Sequence, residues 1–184
     1  TTNYSSPKQI GALTTWLKVA AGYNNAYAIK TDGTLWSWGN NGFGELGLNN
    51  LTNYSSPKQV GALTNWSSIE AASYSAVAVK TDGTLWSWGW NLYGQLGLNN
   101  TTSYSSPKQV GALTTWLSIS ASYASSVSIK TDGTLWSWGT NNLGQLGLNN
   151  TTNYSSPKQV GALTSWTKLF KGATAYSTLA MKSS

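Results

Sequence analysis

The sequence predicts an all-β tandem-repeat protein on three observations. These are an internal period of 50 residues, short alternating stretches bounded by Gly, Asn and Asp, and eleven Trp in a chain only 9% charged. TTNYSSPKQIGALTTW at Thr1 returns at Leu51, Thr101 and Thr151, and KTDGTLWSWG returns at Lys30, Lys80 and Lys130. Fixed spacing without insertions is the mark of near-identical stacked units. The chain reads as one repeat domain over 1–184, with units 1–50, 51–100, 101–150 and a partial unit 151–184. So aromatic a composition is unlike a disordered chain, and so little charge is unlike a helical one.

Each unit reads as four short strands separated by turn residues. Trp16 to Ala21 is the first; its Ala20 and Ala21, with Gly22 after them, are small, as expected where units converge on an axis. Ala26 to Lys30 is the second and runs into Thr31-Asp32-Gly33-Thr34, whose Asp-Gly pair is expected to supply the positive φ values of a tight hairpin. Leu35 to Trp38 is the third, with Trp36 and Trp38 on one face and Leu35 and Ser37 on the other. After a loop rich in Gly and Asn, Pro57 to Val60, like Pro7 to Ile10, is a short outer strand; an edge strand tolerates proline because it can spare a backbone donor.

A small-residue inner strand, KTDGTLWSWG, then NGFGELG, NLYGQLG or NNLGQLG, then a Pro-x-x-Val strand together resemble the repeat of the regulator of chromosome condensation family. The resemblance covers essentially the whole chain. It implies β-propeller blades, commonly seven of four strands each, and non-catalytic work on a partner. Three full units and a partial fourth leave three arrangements open: a small closed ring with one short blade, two chains forming a larger ring, or a stretch of a longer array. The expected partner is therefore a second copy completing the strands, or the rest of a longer chain. The start at Thr1, without Met, suits a processed product or an excerpt.

With no His and no Cys, the chain lacks the commonest general base, the usual zinc ligands and a thiolate nucleophile. Asp32, Asp82 and Asp132 are equivalent turn residues, Glu45 is replaced by Gln95 and Gln145, and Glu70 stands alone. Such acids do not make the facing pair that glycoside hydrolysis needs. No catalytic, cofactor or metal site is expected. The net charge of +6 is all lysine, in rows at Lys8, Lys58, Lys108 and Lys158 and at Lys30, Lys80, Lys130 and Lys182. Without arginine, a nucleic-acid reader is disfavoured. No apolar run reaches the length of a membrane span, and the Asn-x-Ser/Thr triplets, such as that at Asn50, read as turns.

Most tryptophans recur in every unit and are expected to pack between blades. Trp90 differs, standing where the other units have Asn40 and Thr140, in a loop that also varies at Phe43, Tyr93 and Leu143. These four are the candidate ligand-binding residues, since rigid scaffolds with variable loops commonly make binding surfaces. The turns at Tyr23 to Tyr27, Tyr74 to Val77 and Tyr123 to Val127 hold much of the remaining variation. The leading expectation is an adhesion or assembly module on a surface or virion, with a glycan or surface protein as ligand. The competing ones are a protein-binding propeller acting on enzymes, small GTPases or chromatin, and an engineered or recently amplified scaffold without a ligand. The close likeness of the units argues against any one specialised face.

Overall fold

The computed structural model describes residues 5–12, 14–171 and 178–183. The first repeat forms β1 (Trp16–Ala21), β2 (Asn25–Lys30), β3 (Leu35–Gly39) and β4 (Tyr54–Gln59). The second forms β5 (Trp66–Ala71), β6 (Ser75–Lys80), β7 (Leu85–Gly89) and β8 (Tyr104–Gln109). The third forms β9 (Trp116–Ala121), β10 (Ser125–Lys130), β11 (Leu135–Gly139) and β12 (Tyr154–Gln159). β13 (Trp166–Lys171) and β14 (Thr178–Lys182) pair as a two-stranded sheet. Each full unit is a four-stranded antiparallel meander, a propeller blade, and β1, β5, β9 and β13 stand side by side as its innermost strands. Small residues sit on these strands because neighbouring backbones approach closely there.

The hairpin between the second and third strands differs from the tight turn expected. Gly33 alone has positive φ (77°), Lys30 N–H donates to Thr34 O at 3.0 Å, and Gly33 N–H donates to Lys30 O at 3.0 Å. This is a three-residue loop ending in a glycine bulge, a turn that matches the strand twist with one left-handed residue. Asp32 keeps ordinary φ because its carboxylate accepts from Thr34 N–H (2.9 Å) and Thr34 Oγ1 (2.6 Å), and Asp82 and Asp132 repeat this. Those hydroxyl and amide donors hold all three carboxyls below their usual range. The threonine hydroxyl in turn accepts from the Trp36 indole at 2.9 Å.

The outer strand begins earlier than Pro57, at Tyr54, and Pro57 lies inside it. β4 is the sheet edge, so the missing N–H costs no ladder bond. Pro7 to Ile10 is not a strand in the structure and Ile10 is 44% exposed, because no described third strand lies beside it to supply a ladder.

The core lies between blades, not within them. Tyr27, Ile29, Leu35 and Val60 of the first blade meet Trp66, Ile69, Ala76 and Trp88 of the second, and Val77, Val79, Leu85 and Val110 meet Trp116, Ile119 and Trp138 at the next junction. The alternation of strand side chains gives every blade two apolar faces, one for each neighbour. Position 19 shows what a neighbour does: Val19 is 76% exposed, whereas its counterparts Ile69 and Ile119 are 5% and 8% exposed.

A tryptophan locks each junction. The Trp88 indole N–H donates to Glu45 O (2.8 Å) and that of Trp138 to Gln95 O (2.9 Å), so a buried donor is satisfied by the neighbouring blade. A β-carbon at Gly47 or Gly97 would lie 2.8 Å from that indole nitrogen, so only glycine admits the ring. Asn49 and Asn99, with φ of 58° and 59°, turn their N–H groups onto Ser105 O and Ser155 O of the next blade, both at 2.7 Å. Asn tolerates this left-handed geometry better than most residues.

Two outcomes are expected. Trp88→Ala loses a fully buried ring and its interblade bond and costs about 3–5 kcal/mol. Trp38→Ala, at a face with no described preceding blade, costs about 1–2 kcal/mol, and urea midpoints compare the two directly. Stability from Asp32, Asp82 and Asp132 is present above the unfolded carboxylate range and disappears as pH falls through the depressed folded values. Replacing all three with Asn is therefore expected to flatten the acid limb of a Tm-versus-pH curve below about pH 4.

Candidate functional site

Antiparallel pairing brings the turn between the first two strands of each blade to the same end as the long loop after the third. Backbone bonds fix the two together: Asn40 N–H to Asn24 O (2.8 Å), Trp90 N–H to Tyr74 O (2.9 Å) and Thr140 N–H to Ala124 O (2.9 Å). The variable position 40, 90 or 140 therefore rests against the variable turn of its own blade.

The loops are rigid for a reason legible in the repeat. Asn41 is fully buried; its Oδ1 accepts from Leu46 N–H (2.9 Å) and its Nδ2 donates to Asn50 O (2.9 Å) and Thr52 O (3.0 Å). Asn91 makes the same three bonds. At the loop tip, Phe43 N–H donates to Glu45 Oε2 (2.7 Å), Tyr93 N–H to Gln95 Oε1 (3.0 Å) and Leu143 N–H to Gln145 Oε1 (2.9 Å). Each tip side chain is thus held outward. Asn50 Nδ2 donates to Leu48 O at 3.1 Å, as a turn residue.

Three of the four candidate residues come together. Trp90 touches Phe43 (ring centroids 6.0 Å apart), Tyr93 (5.5 Å), Tyr74 (5.9 Å) and Tyr123 (6.1 Å). Tyr74 also meets Phe43 at 5.4 Å, Tyr123 at 6.2 Å and Tyr23 at 6.2 Å. These six rings form a continuous ridge across three blades, mostly edge to face, a favourable aromatic geometry. Leu143, 85% exposed at the third tip, adds no ring. The ridge makes this end of the blades differ from unit to unit in its aromatic content. Tyr74, in the variable turn of the second unit, joins the ridge from a shifted position. It sits one position beyond Tyr23 and Tyr123 in the repeat, so comparison of equivalent residues separates what the fold joins.

Beside the ridge, at the mouth between inner strands, lies a groove of about 210 Å³ with Tyr23 and Tyr123 as walls and Ala72, Ser73 and Ser122 among its lining. Larger hollows of about 320 and 370 Å³ lie at the opposite end, one at each junction, lined equivalently by Trp66, Trp86 and Pro107 and by Trp116, Trp136 and Pro157. Their recurrence marks them as products of the repeat.

Glu45 and one set of lysines are committed to structure. Glu45 is fully buried, and its backbone carbonyl also accepts from the Tyr27 hydroxyl; burial, with the Glu45 charge second, pushes that phenol well above its ordinary value. Lys30, Lys80 and Lys130 place Nζ 3.8, 3.6 and 3.6 Å from the Trp36, Trp86 and Trp136 ring centroids. Burial lowers Lys80 and Lys130 below the usual lysine value, opposed by Asp82 and Asp132. These ammonium groups are held by cation–π contact at the hairpin end, away from the ridge. Among the described residues no group of three or more His, Cys, Asp or Glu could hold a metal ion, and no helix is long and apolar enough to cross a membrane.

The comparisons with known proteins agree with this architecture. The family model for the regulator of chromosome condensation (RCC1) repeat matches residues 32–79, 82–129 and 132–174, and a second model of the same repeat matches 16–45, 66–95 and 116–145. No curated protein sequence matches the chain. Among solved structures, human WBSCR16 is similar with a TM-score of 0.71 and 20% identity, over 84% of this chain and 42% of that one. Prp20p from Saccharomyces cerevisiae, described with its binding properties to Gsp1p and histones, is similar with a TM-score of 0.74 and 22% identity, over 82% of this chain and 39% of that one. Yeast RCC1 (Prp20) bound to Kap60 gives 0.74 and 19%, over 92% and 42%. The chain thus spans about two fifths of the length of these structures, and at such identities the likeness is one of fold. From the repeat matches and the blades that bear them, the chain belongs to the regulator of chromosome condensation repeat family of β-propeller proteins.

Proposed function

We propose that the chain is a non-enzymatic binding module whose recognition surface is the ridge of Tyr23, Phe43, Tyr74, Trp90, Tyr93 and Tyr123, carried on one repeat domain over 1–184. One observation carries the reading. Phe43, Trp90 and Tyr93, at loop positions where the repeats differ, meet Tyr74 of the varying turn in space as contacting rings, and Trp90 also meets Tyr123. A rigid scaffold bearing a local, asymmetric aromatic surface is the arrangement of a recognition site. Absence of His and Cys supports the non-catalytic half of the reading. Low charge and loops rich in Ser, Thr and Asn support a setting in adhesion or assembly at a cell or virion surface. What Prp20p binds belongs to that protein; a protein-binding role here would use the same ridge.

Two-dimensional NMR with a library of small neutral, acidic and basic compounds tests the surface. Expected hits shift the amides of 23–25, 40–43, 72–74, 90–93 and 122–124, and Trp90→Ala removes them while leaving the remaining spectrum in place. Hits gathered at the hairpin end, or spread evenly over the blades, would sink the reading and favour a scaffold without a ligand.

A further inference from the structure

We infer that the ridge and its adjoining groove bind an uncharged glycan chain, a proposal that rests on the ridge being a recognition surface. Charge is the first argument. The described segments at this end of the three full blades, 22–25, 39–45, 72–75, 89–95, 122–125 and 139–145, contain one residue charged at neutral pH, Glu45, which is fully buried. The chain carries eleven lysines and none lies in these segments. Among the described side chains of these segments a phosphate-bearing or sulfated ligand would meet no cation, and nucleic acid would gain none of the counterion release on which its binding depends. A cationic ligand would find no exposed carboxylate.

Ring geometry is the second argument. The rings touch one another at centroid distances of 5.4–6.2 Å, so the space among them is filled by aromatic carbon. That excludes the enclosed cage which surrounds a quaternary ammonium group. It leaves a strip with exposed parts: Tyr23 is 70% and Phe43 45% exposed, and Tyr74, Trp90, Tyr93 and Tyr123 are half-buried. A fully buried aromatic side chain covers roughly 150–250 Å², so partly covered rings present only a few hundred Å². A stable protein partner needs about 800 Å² on each side. A narrow strip instead suits a narrow ligand.

Polar groups complete the case. Pyranose rings present C–H faces that the negative face of an aromatic ring attracts, bordered by hydroxyls that require hydrogen-bond partners. Ser73 lines the groove, Asn24 and Asn40 lie in the turn and loop that carry Tyr23 and Phe43, and the Ser73 hydroxyl and both Nδ2 groups donate to no described residue, Asn40 Oδ1 being already held by Gly42 N–H at 3.2 Å. The groove, at about 210 Å³, is below the roughly 300 Å³ at which drug-sized ligands are accommodated. It has room for one sugar ring at the end of a chain lying along Trp90 and Tyr74.

The test titrates the intact chain with neutral hexasaccharides of glucose, xylose, mannose and N-acetylglucosamine, and with oligogalacturonate and heparin hexasaccharide as charged counterparts. Calorimetry gives affinity, and the Trp90 indole N–H resonance, assigned by its loss in Trp90→Ala, gives location. At least one neutral hexasaccharide is expected to bind with a sub-millimolar Kd and shift that resonance, and both Trp90→Ala and Tyr23→Ala are expected to weaken it at least tenfold. Tyr23, the most exposed ring, serves as the variant that does not threaten folding, and near-ultraviolet circular dichroism checks both. The proposal is overturned if no neutral hexasaccharide binds at several millimolar, if both variants bind as well as the parent, or if the charged oligomers bind more tightly. Compound hits on the ridge without any glycan binding would remove the ligand class and leave the recognition surface standing; absence of both removes the two together.

Discussion

An indole N–H reaching across a blade junction to a backbone carbonyl is the constraint on which the remaining architecture depends. Trp88 and Trp138 make this bond from fully buried rings, and each ring lies where a glycine of the preceding blade leaves room for it. A buried donor without its acceptor costs more than the bond itself contributes. The junction therefore has one good register, and the loop that supplies carbonyl and glycine must be rigid. That rigidity is the work of Asn41 and Asn91, whose side chains replace the secondary structure the loop lacks. The same loops carry Phe43, Trp90 and Tyr93 at their outer side. Stability on the inner side of the loop and a presented surface on the outer side have a common origin.

Charge follows a related economy. Lys30, Lys80 and Lys130 each lie on a tryptophan face beside a hairpin whose Asp is fixed by its own Thr. A sequence so basic by count holds these three ammonium groups against rings, and the described segments of the aromatic ridge carry no lysine. Counting lysines alone would suggest a polyanion binder; their ring contacts show a structural use for these three.

Much of the blade was legible in the sequence because its determinants are local. Alternation in AIK and LWSW, the Gly33 turn and the small residues of the inner strand each act within a few residues, and the strands lie where those signals place them. The errors are equally physical. The Asp-Gly pair suggests positive φ at both residues, whereas the Thr34 hydroxyl and amide keep Asp32 in ordinary φ, which is a side-chain effect. The outer strand, expected from Pro57, begins three residues earlier at Tyr54, because its edge pairing with β3 extends to Gly39 and Tyr54. The ridge was half visible: Phe43, Trp90 and Tyr93 stand out as departures from the repeat. Tyr74 lies in a turn that varies between units, but its ring contacts with the neighbouring blades exist only after the blades are stacked, and Leu143 shares the loop position of Phe43 without sharing its contacts.

The interblade lock has a further consequence for how such a chain reaches its native state. The tryptophan of one unit is chemically suited to the glycine and carbonyl of any other, since Glu45 and Gln95 offer the same backbone oxygen. Misassembly by docking onto a non-adjacent unit therefore forms nearly native contacts. Against it stands chain connectivity: neighbouring blades are joined through residues 60–65, and skipping one unit lengthens the closing loop by a full period of 50 residues. Loop-closure scaling puts that difference at about 2 kcal/mol, a thin margin among interchangeable joints. Assembly in register then benefits from vectorial synthesis, in which each unit emerges and docks on its predecessor before the next competitor exists.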